Sequence, residues 1–200
     1  MSIFAFLIII INTLISAYNA YSCGRIWSVC QGFMKIAAVA GLIVSVAGFI
    51  QTWVLLIGFI AEYFGWLKPD ALNALFSMTY VLIVLPVIGS GIILTIQSWI
   101  AAVRTRNVGA GAGAVWNTGA TAYDIYQAME TLPNAFNSVI NFFSSEDEDS
   151  GSKASVALIF TLAVMMSFGS TYFFFQKGQN KTADEIQVDK HLKHHQHSYS

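Results

Sequence analysis

Charged residues are scarce in this chain. Only 10% of its 200 residues are Asp, Glu, Lys or Arg, whereas 56% are hydrophobic and 14% are aromatic. Soluble globular proteins carry about 25% charged residues, so this composition excludes an ordinary water-soluble fold. The formal net charge is −1, which excludes the strongly basic surface on which nucleic-acid binding depends. We therefore expect an integral membrane protein whose main surroundings are the lipid bilayer, with no nucleic-acid partner.

Cysteine is also scarce, because Cys23 and Cys30 are the only two. They lie in a short predicted loop, residues 23–34, where a disulfide requires an oxidising compartment. The distribution of basic residues favours the cytoplasmic side for this loop, which predicts free thiols and leaves the disulfide as the alternative. We expect no metal site and no cofactor.

Charge is nearly absent from four long stretches, and this absence carries the fold prediction. Each stretch is long enough to cross a hydrocarbon core of about 30 Å as a helix, and none shows the alternation of barrel strands. A cleaved signal peptide is the alternative for the first, and a re-entrant hairpin for the second. The predicted transmembrane helices are residues 1–22, 35–67, 71–103 and 154–176, giving an all-α four-helix bundle.

The predicted spans contain two features of helix packing. In the second, a stripe of small residues would let another helix approach closely. In the third, a proline followed by two glycines predicts a kink or a hinge. The neutral polar residues Asn12, Gln51, Thr52, Thr95 and Gln97 are expected to form hydrogen bonds between helices. The stripe is Ala37, Gly41, Ser45 and Gly48, and the hinge residues are Pro86, Gly89 and Gly91.

Residues 104–153 are predicted to lie outside the membrane as a connector between the third and fourth spans. A Gly-rich linker comes first, with a weak match to a dinucleotide-binding fingerprint that lacks the required strand. An amphipathic helix follows, with Pro133 expected to start a second helix. An acidic loop, residues 144–152, is expected to be disordered. The helix is predicted to pack on the bundle or on a partner through Ile125, Met129, Leu132, Phe136, Ile140 and Phe143.

The final segment, residues 177–200, is polar and rich in histidine. His191, His194, His195 and His197 could share a metal ion only if a fold positioned them, and nothing in the sequence does so. We expect an exposed, disordered tail. With four spans, five basic residues lie on one side of the membrane and three on the other, which weakly places both termini outside the cytoplasm.

Apart from Lys35 and Glu62 near the two ends of the second, the predicted spans contain no Asp, Glu, Lys, Arg or His of the kind that pumps and proton relays require. No catalytic arrangement of side chains is recognisable, so we expect a non-enzyme without a small-molecule substrate. The favoured function is a structural or assembly subunit whose partners are other membrane or capsid-type proteins. Virion membrane proteins, minor capsid proteins and respiratory-complex accessory subunits are examples. The alternative is a small oligomeric channel or facilitator for a neutral solute.

Overall fold

The computed structural model describes the backbone of residues 3–146 and 150–197, and the side chains of residues 6–146 and 150–186. Over these ranges the fold is all-helical and has no strand, as the sequence predicts. Consecutive helices are joined by short turns. They are α1 (Ile3–Trp27), α2 (Phe33–Tyr63), α3 (Pro69–Thr105), α4 (Val108–Ser144) and α5 (Ser150–His197).

Four of these helices are long and apolar enough to cross a membrane, judged by length and composition. The spans are Phe6–Trp27 in α1, Phe33–Tyr63 in α2, Pro69–Thr105 in α3 and Ser150–Ile186 in α5. The second stretch is one uninterrupted helix, so the re-entrant alternative is wrong. These helices are those of a multi-pass membrane protein.

Successive helices in the first half of the chain run antiparallel. The Asn12 side chain of α1 donates a 2.9 Å hydrogen bond to Oε1 of Gln51 in α2. Nearer the end of α1, Gly41 of α2 lies against the Cys23 thiol. At the other end of α2, Gly58 lies against Leu72 near the start of α3. The first and third helices therefore point the same way, with α2 between them.

The fourth helix returns along the third over its whole length. Near the end of α3, the Thr95 hydroxyl lies 3.1 Å from the Thr121 hydroxyl of α4. Near the start of α3, Asp70 and the Ser145 residue that caps α4 line one shallow cleft. Helices α3 and α4 contain 37 residues each, and together they form a long antiparallel hairpin.

The fifth helix closes the bundle beside α1 and α2. It begins after α4 returns to the start of α3, and Phe174 stacks on Phe49 of α2. Further along, Thr182 donates a hydrogen bond to the Arg25 carbonyl at the end of α1. Thus α1 and α5 point the same way. The start of α1 and the end of α5 therefore lie at opposite ends of the bundle. The prediction that both termini lie on one side of the membrane disagrees with this arrangement, whereas the four apolar helices agree with the predicted four-helix bundle.

The predicted Gly-rich linker is wrong, because residues 108–114 are the first two turns of α4. Asn107 caps the helix by accepting a 2.8 Å hydrogen bond from the Gly109 amide. Alanine alternates with glycine here, and alanine has the highest intrinsic helix propensity. Ala114 is fully buried. Capping and docking on α3 therefore outweigh the flexibility of the glycines.

The prediction that Pro133 starts a second helix is also wrong, because α4 runs through it without a break. An internal proline removes one backbone hydrogen bond and usually costs about 3 kcal/mol. Long packing against α3 on both sides of Pro133 holds the helix together.

The acidic loop and the tail are shorter and more ordered than expected. Helix α5 begins at Ser150, inside the predicted loop, and continues through the predicted disordered tail to His197. Residues 147–149 lie outside the described part, as do the side chains of the four tail histidines. The first loop is also shorter than predicted, since α1 continues past Cys23 to Trp27.

The best-packed part of the core lies where α2, α3 and α5 meet. Leu75 of α3 is the largest fully buried side chain, and Val54 of α2 and Val156 of α5 belong to the same cluster. Phe142, near the end of α4, joins them. This core anchors one end of the bundle, and α4 extends from it along α3.

Candidate functional site: a polar groove beside the fourth helix

Helix α4 contacts α3 through one narrow stripe of mostly small residues. The stripe repeats every seven residues, which is the spacing that keeps one face of a helix against a neighbour in a left-handed coiled coil. Small side chains let the two backbones approach closely. A Cβ on Gly91 of α3 would stand 2.9 Å from the Thr121 hydroxyl. The buried residues of α4 are Ala114, Thr121, Ala128, Ala135 and Phe142.

Hydrogen bonds reinforce this contact. The Thr95 hydroxyl donates to the Asn117 carbonyl at 3.1 Å, and the Trp99 indole donates to the Thr118 hydroxyl at 3.0 Å. Asn12 with Gln51 and Thr95 with Thr121 form interhelical bonds as predicted, and Gln97 donates to the Met34 sulfur at 3.7 Å. The prediction fails for Thr52, whose buried hydroxyl has no hydrogen-bond partner among the described residues.

The predicted contact face of α4 does not pack on the bundle. Met129 is 76% exposed and Phe136 is 52% exposed, and Ile125, Ile140 and Phe143 are exposed too. Leu132 is only partly buried. The correction has a physical reason: in a membrane protein, small and polar residues make the helix contacts, while large apolar residues can face lipid. The prediction assumed that large apolar side chains form the packed face of a helix, as they do in water-soluble proteins.

On its other flank, α4 borders a groove whose lining is largely apolar but includes six polar side chains. The cavity has a volume of about 280 Å³ and lies between α1, α2, α3 and α4. A second cavity of about 360 Å³ adjoins it, sharing Gln51 and Tyr80 and adding Thr131. The polar side chains of the first cavity are Asn12, Ser16, Gln51, Tyr80, Asp124 and Gln127.

The hydrogen-bonding capacity of the groove comes from the six polar side chains on its largely apolar lining. Asn12 and Gln51 are hydrogen-bonded to each other, and each amide keeps further donors and acceptors. Asp124 is half-buried and has no hydrogen bond or ion pair with any described residue. The groove can therefore hold a group rich in hydrogen-bond donors.

Sequence reasoning missed Asp124 because it placed α4 outside the membrane. The predicted spans contain no acid apart from Glu62 near the end of the second, but α4 brings the Asp124 carboxylate alongside them. The seven-residue recurrence of Ala114, Thr121, Ala128 and Ala135 was the available signal, since it marks the stripe that faces α3. Asp124 lies one turn from Ala128 on the same side of the helix.

The small-residue stripe of α2 is occupied by α1 of the same chain. Gly48 contacts Ser16, and a Cβ on Gly41 would stand 2.7 Å from the Cys23 sulfur. Ala37 and Ser45 are buried as well. The stripe is therefore not free to receive another protein.

The predicted hinge residues lie in a helix that is continuous through Pro86. Pro86 and Gly89 are exposed, and no neighbouring atom lies within 4 Å of a Cβ placed on Gly89. Gly91 instead lies against Thr121, so close packing explains that glycine. A hinge role for the other two stays a prediction.

Both cysteines are free and buried, so the disulfide alternative is not the state of this structure. The Cys30 thiol lies 3.5 Å from the Trp27 carbonyl, within the turn that ends α1. Among the described residues, no group of three or more His, Cys, Asp or Glu side chains could hold a metal ion.

The fold and the groove define an all-helical, multi-pass membrane protein with a polar lateral groove. Comparisons with protein families, with curated proteins and with solved structures found no match. Function therefore has to be argued from the groove itself.

Proposed function

We propose that the protein is a non-catalytic structural or assembly subunit of a larger membrane complex, and that its polar groove receives a transmembrane helix of another subunit. The observation that carries this proposal is the position of the groove. It is open at one side of a bundle whose other outward surfaces are largely apolar. A polar surface of this kind needs a polar partner.

Lipid cannot be that partner. Acyl chains offer no hydrogen bonds, and an unsatisfied polar group in the hydrocarbon region costs several kcal/mol. The Gln127 amide and the Asp124 carboxylate border the groove without a bond to any described side chain. A neighbouring helix with polar side chains would satisfy them.

The chemistry of the groove specifies which side chains the partner offers. An ionised carboxylate only accepts hydrogen bonds, so a donor must face Asp124. Ser, Thr and Asn supply such donors in membrane helices, and Lys or Arg would add an opposite charge. A second copy of this chain could also supply Ser, Thr or Asn donors from its spans, so crosslinking has to distinguish a different protein from a homo-oligomer.

Virion membrane proteins, minor capsid proteins and respiratory-complex accessory subunits are classes in which a small bundle serves a larger assembly. The groove suits any of these classes. Identifying the co-assembled proteins would decide among them.

A pair of photocrosslinking variants tests the proposal in the native membrane. A photoreactive amino acid at Gln127 points into the groove, and the same group at Met129 lies on the apolar flank two residues away. We expect Gln127 to crosslink to one defined protein that also co-migrates with the chain in gentle detergent. Met129 should crosslink mainly to lipid.

Substitution completes the test. Gln127→Leu should release the partner on blue-native electrophoresis, whereas Met129→Leu should retain it. Crosslinks from Gln127 to lipid alone, or a lone monomer after gentle extraction, would contradict the assembly function. Crosslinks only to a second copy of the chain would replace the heteromeric partner with a homo-oligomer.

The polar lining supports a second candidate function, a small channel or facilitator. Gln51 and Tyr80 border both adjoining cavities, so polar groups follow the helices over more than one turn. Enclosing a pathway requires a second copy. Solute flux in proteoliposomes that is lost in Gln51→Leu but kept in Leu85→Ala would favour it, and absence of flux would remove it.

A further inference from the structure

Helix α4 matches α3 in length and position. Both contain 37 residues, and hydrogen bonds and clefts join them from Trp99 with Thr118 at one end to Asp70 with Ser145 at the other. Helix α3 is itself long and apolar enough to cross a membrane. A helix that lies along a membrane-crossing helix for its whole length occupies the same depth of the bilayer.

The surface of α4 is that of a membrane helix. Its small residues are buried and its large apolar side chains are exposed, which is the reverse of a water-soluble helix. Small residues and Thr121 face α3. Large apolar side chains point outward, and among them Met129 is 76% exposed and Phe136 is 52% exposed. In water such a surface would be a large exposed apolar patch, but in a bilayer it is the expected lipid contact.

Helix α3, on which α4 packs, also exposes large apolar side chains. Leu85, Ile92 and Ile96 of α3 are exposed, with fractions of 64%, 44% and 47%. Since these residues belong to a predicted span, the neighbouring flank of α4 meets the same environment. We infer that α4 is a fifth membrane-crossing helix whose apolar flank, residues Ile125, Met129, Phe136, Ile140 and Phe143, lies against lipid acyl chains.

Mean hydropathy alone does not identify α4 as a membrane span, because the average includes the polar side chains beside the groove. Asp124 and Gln127 line the groove, and Glu130, one turn after Gln127, is exposed. An acid at the centre of a bilayer helix costs about 2.5–3.5 kcal/mol on insertion scales. Such residues are tolerated when they face the interior of an assembly or a water-filled cavity.

The basic residues support five crossings independently of packing. With α4 crossing, six of the eight basic residues near the spans lie at the end of the bundle where α1 and α3 finish, and the other two, Lys68 and Lys153, lie at the opposite end. The positive-inside rule then places the first end in the cytoplasm. Four crossings give a division of only five to three. The six residues are Arg25, Lys35, Arg104, Arg106, Lys177 and Lys181.

Five crossings fix the topology. The N-terminus and the loop between α4 and α5 lie outside the cytoplasm, and the C-terminus and the turn between α3 and α4 lie inside. Four crossings would instead place the two ends of α4 on the same side. The two topologies therefore differ at a pair of positions that flank α4.

Two single-cysteine variants, made after Cys23→Ser and Cys30→Ser, test this difference. Val108 is 88% exposed at the start of α4, and Glu146 is exposed just after its end. The two variants are Val108→Cys and Glu146→Cys. In sealed right-side-out vesicles, a membrane-impermeant maleimide should label Glu146→Cys at once and Val108→Cys only after permeabilisation. Labelling of both positions from the same side would overturn the inference.

Two further measurements keep the inference testable if the cysteine-free background fails to fold. Reporter fusions to the unmodified chain should place its N-terminus and C-terminus on opposite sides, whereas termini on one side would refute five crossings. A genetically encoded spin-labelled amino acid at Met129, in a chain that keeps both cysteines, should collide with oxygen, which partitions into lipid, more than with a water-soluble nickel chelate. The reverse preference would remove the lipid contact. Neither measurement depends on a partner protein. A result against five crossings would therefore not count against the proposed assembly function.

Discussion

Gly178 of α5 lies directly against the backbone carbonyl of Tyr21 in α1. A Cβ at this position would overlap backbone atoms, which cannot move aside as a flexible side chain can. On the facing helix, Gly24 lies against the Phe175 carbonyl in the same way. The first and last helices of the chain therefore cross with their backbones in contact, and each supplies a glycine to the crossing.

Gly178→Ala should destabilise the bundle by about 1–3 kcal/mol, the usual cost of forcing extra volume into a close contact. The matched control is Gly169→Ala, because no atom lies within 4 Å of a Cβ at Gly169 in the same helix. Reversible unfolding in mixed micelles measures both. Equal stability of the two variants would show that α1 and α5 do not approach as described.

Gly91→Ala should weaken the hairpin of α3 and α4, because its Cβ would stand 2.9 Å from the Thr121 hydroxyl. Gly89→Ala has no such neighbour, and it should gain about 0.5–1 kcal/mol from the better helix propensity of alanine. Denaturant titration should show a stability difference between these variants, and adding Thr121→Ala to Gly91→Ala should reduce that difference because it removes the clashing hydroxyl. A variant that stays destabilised would place the clash elsewhere.

Leu75→Ala should cost about 2–5 kcal/mol, since it leaves a cavity in the core that joins α2, α3 and α5. Leu75 is fully buried, whereas Leu85 of the same helix is 64% exposed. Leu85→Ala should therefore change stability little. Thermal unfolding in detergent compares the pair, and a similar loss in both variants would be incompatible with this core.

Asn12→Leu should remove the hydrogen bond to Gln51 at the groove. Bonds between polar side chains in membrane helices contribute about 0.6 kcal/mol on average and up to about 1.7 kcal/mol. A double-mutant cycle with Gln51→Leu measures the coupling, and we expect a value in that range. Independent effects of the two substitutions would show that the pair does not form in the folded protein.

Glu185→Gln should change stability by less than about 1 kcal/mol, although Glu185 pairs with Arg25 at 2.7 Å. Both side chains are nearly half exposed, so solvent screens the interaction. Thr182→Val should cost more, because the Thr182 hydroxyl is buried and donates to the Arg25 carbonyl. A larger effect of Glu185→Gln in chemical denaturation would reverse this ranking.

The sequence predicts α1, α2, α3 and α5 well because their signal is simple. A stretch of about 20 residues without charge has few stable conformations other than a helix in lipid. Helix α4 is different, since glycines, Asp124 and Pro133 each resemble features of a connector. Only packing along α3 reveals that these residues belong to one helix, and this packing is a long-range property.

The groove was harder to predict than the fold for a related reason. Asn12 and Gln51 are recognisable as polar residues that bond between helices, and they do so. Asp124 could not be added to them from spacing alone, because it is 73 residues beyond Gln51 in the chain. The antiparallel return of α4 brings it to the same place.

The crossing of α1 and α5 has a consequence for how the protein is made. A ribosome releases α1 long before α5, so the glycine surface of α1 enters the membrane without its final neighbour. The bundle can close only after the last helix has been inserted, which makes closure a post-translational event. A chain truncated before α5 would thus leave the glycine surface of α1 without its neighbouring helix. We expect membrane quality control to recognise that exposed surface.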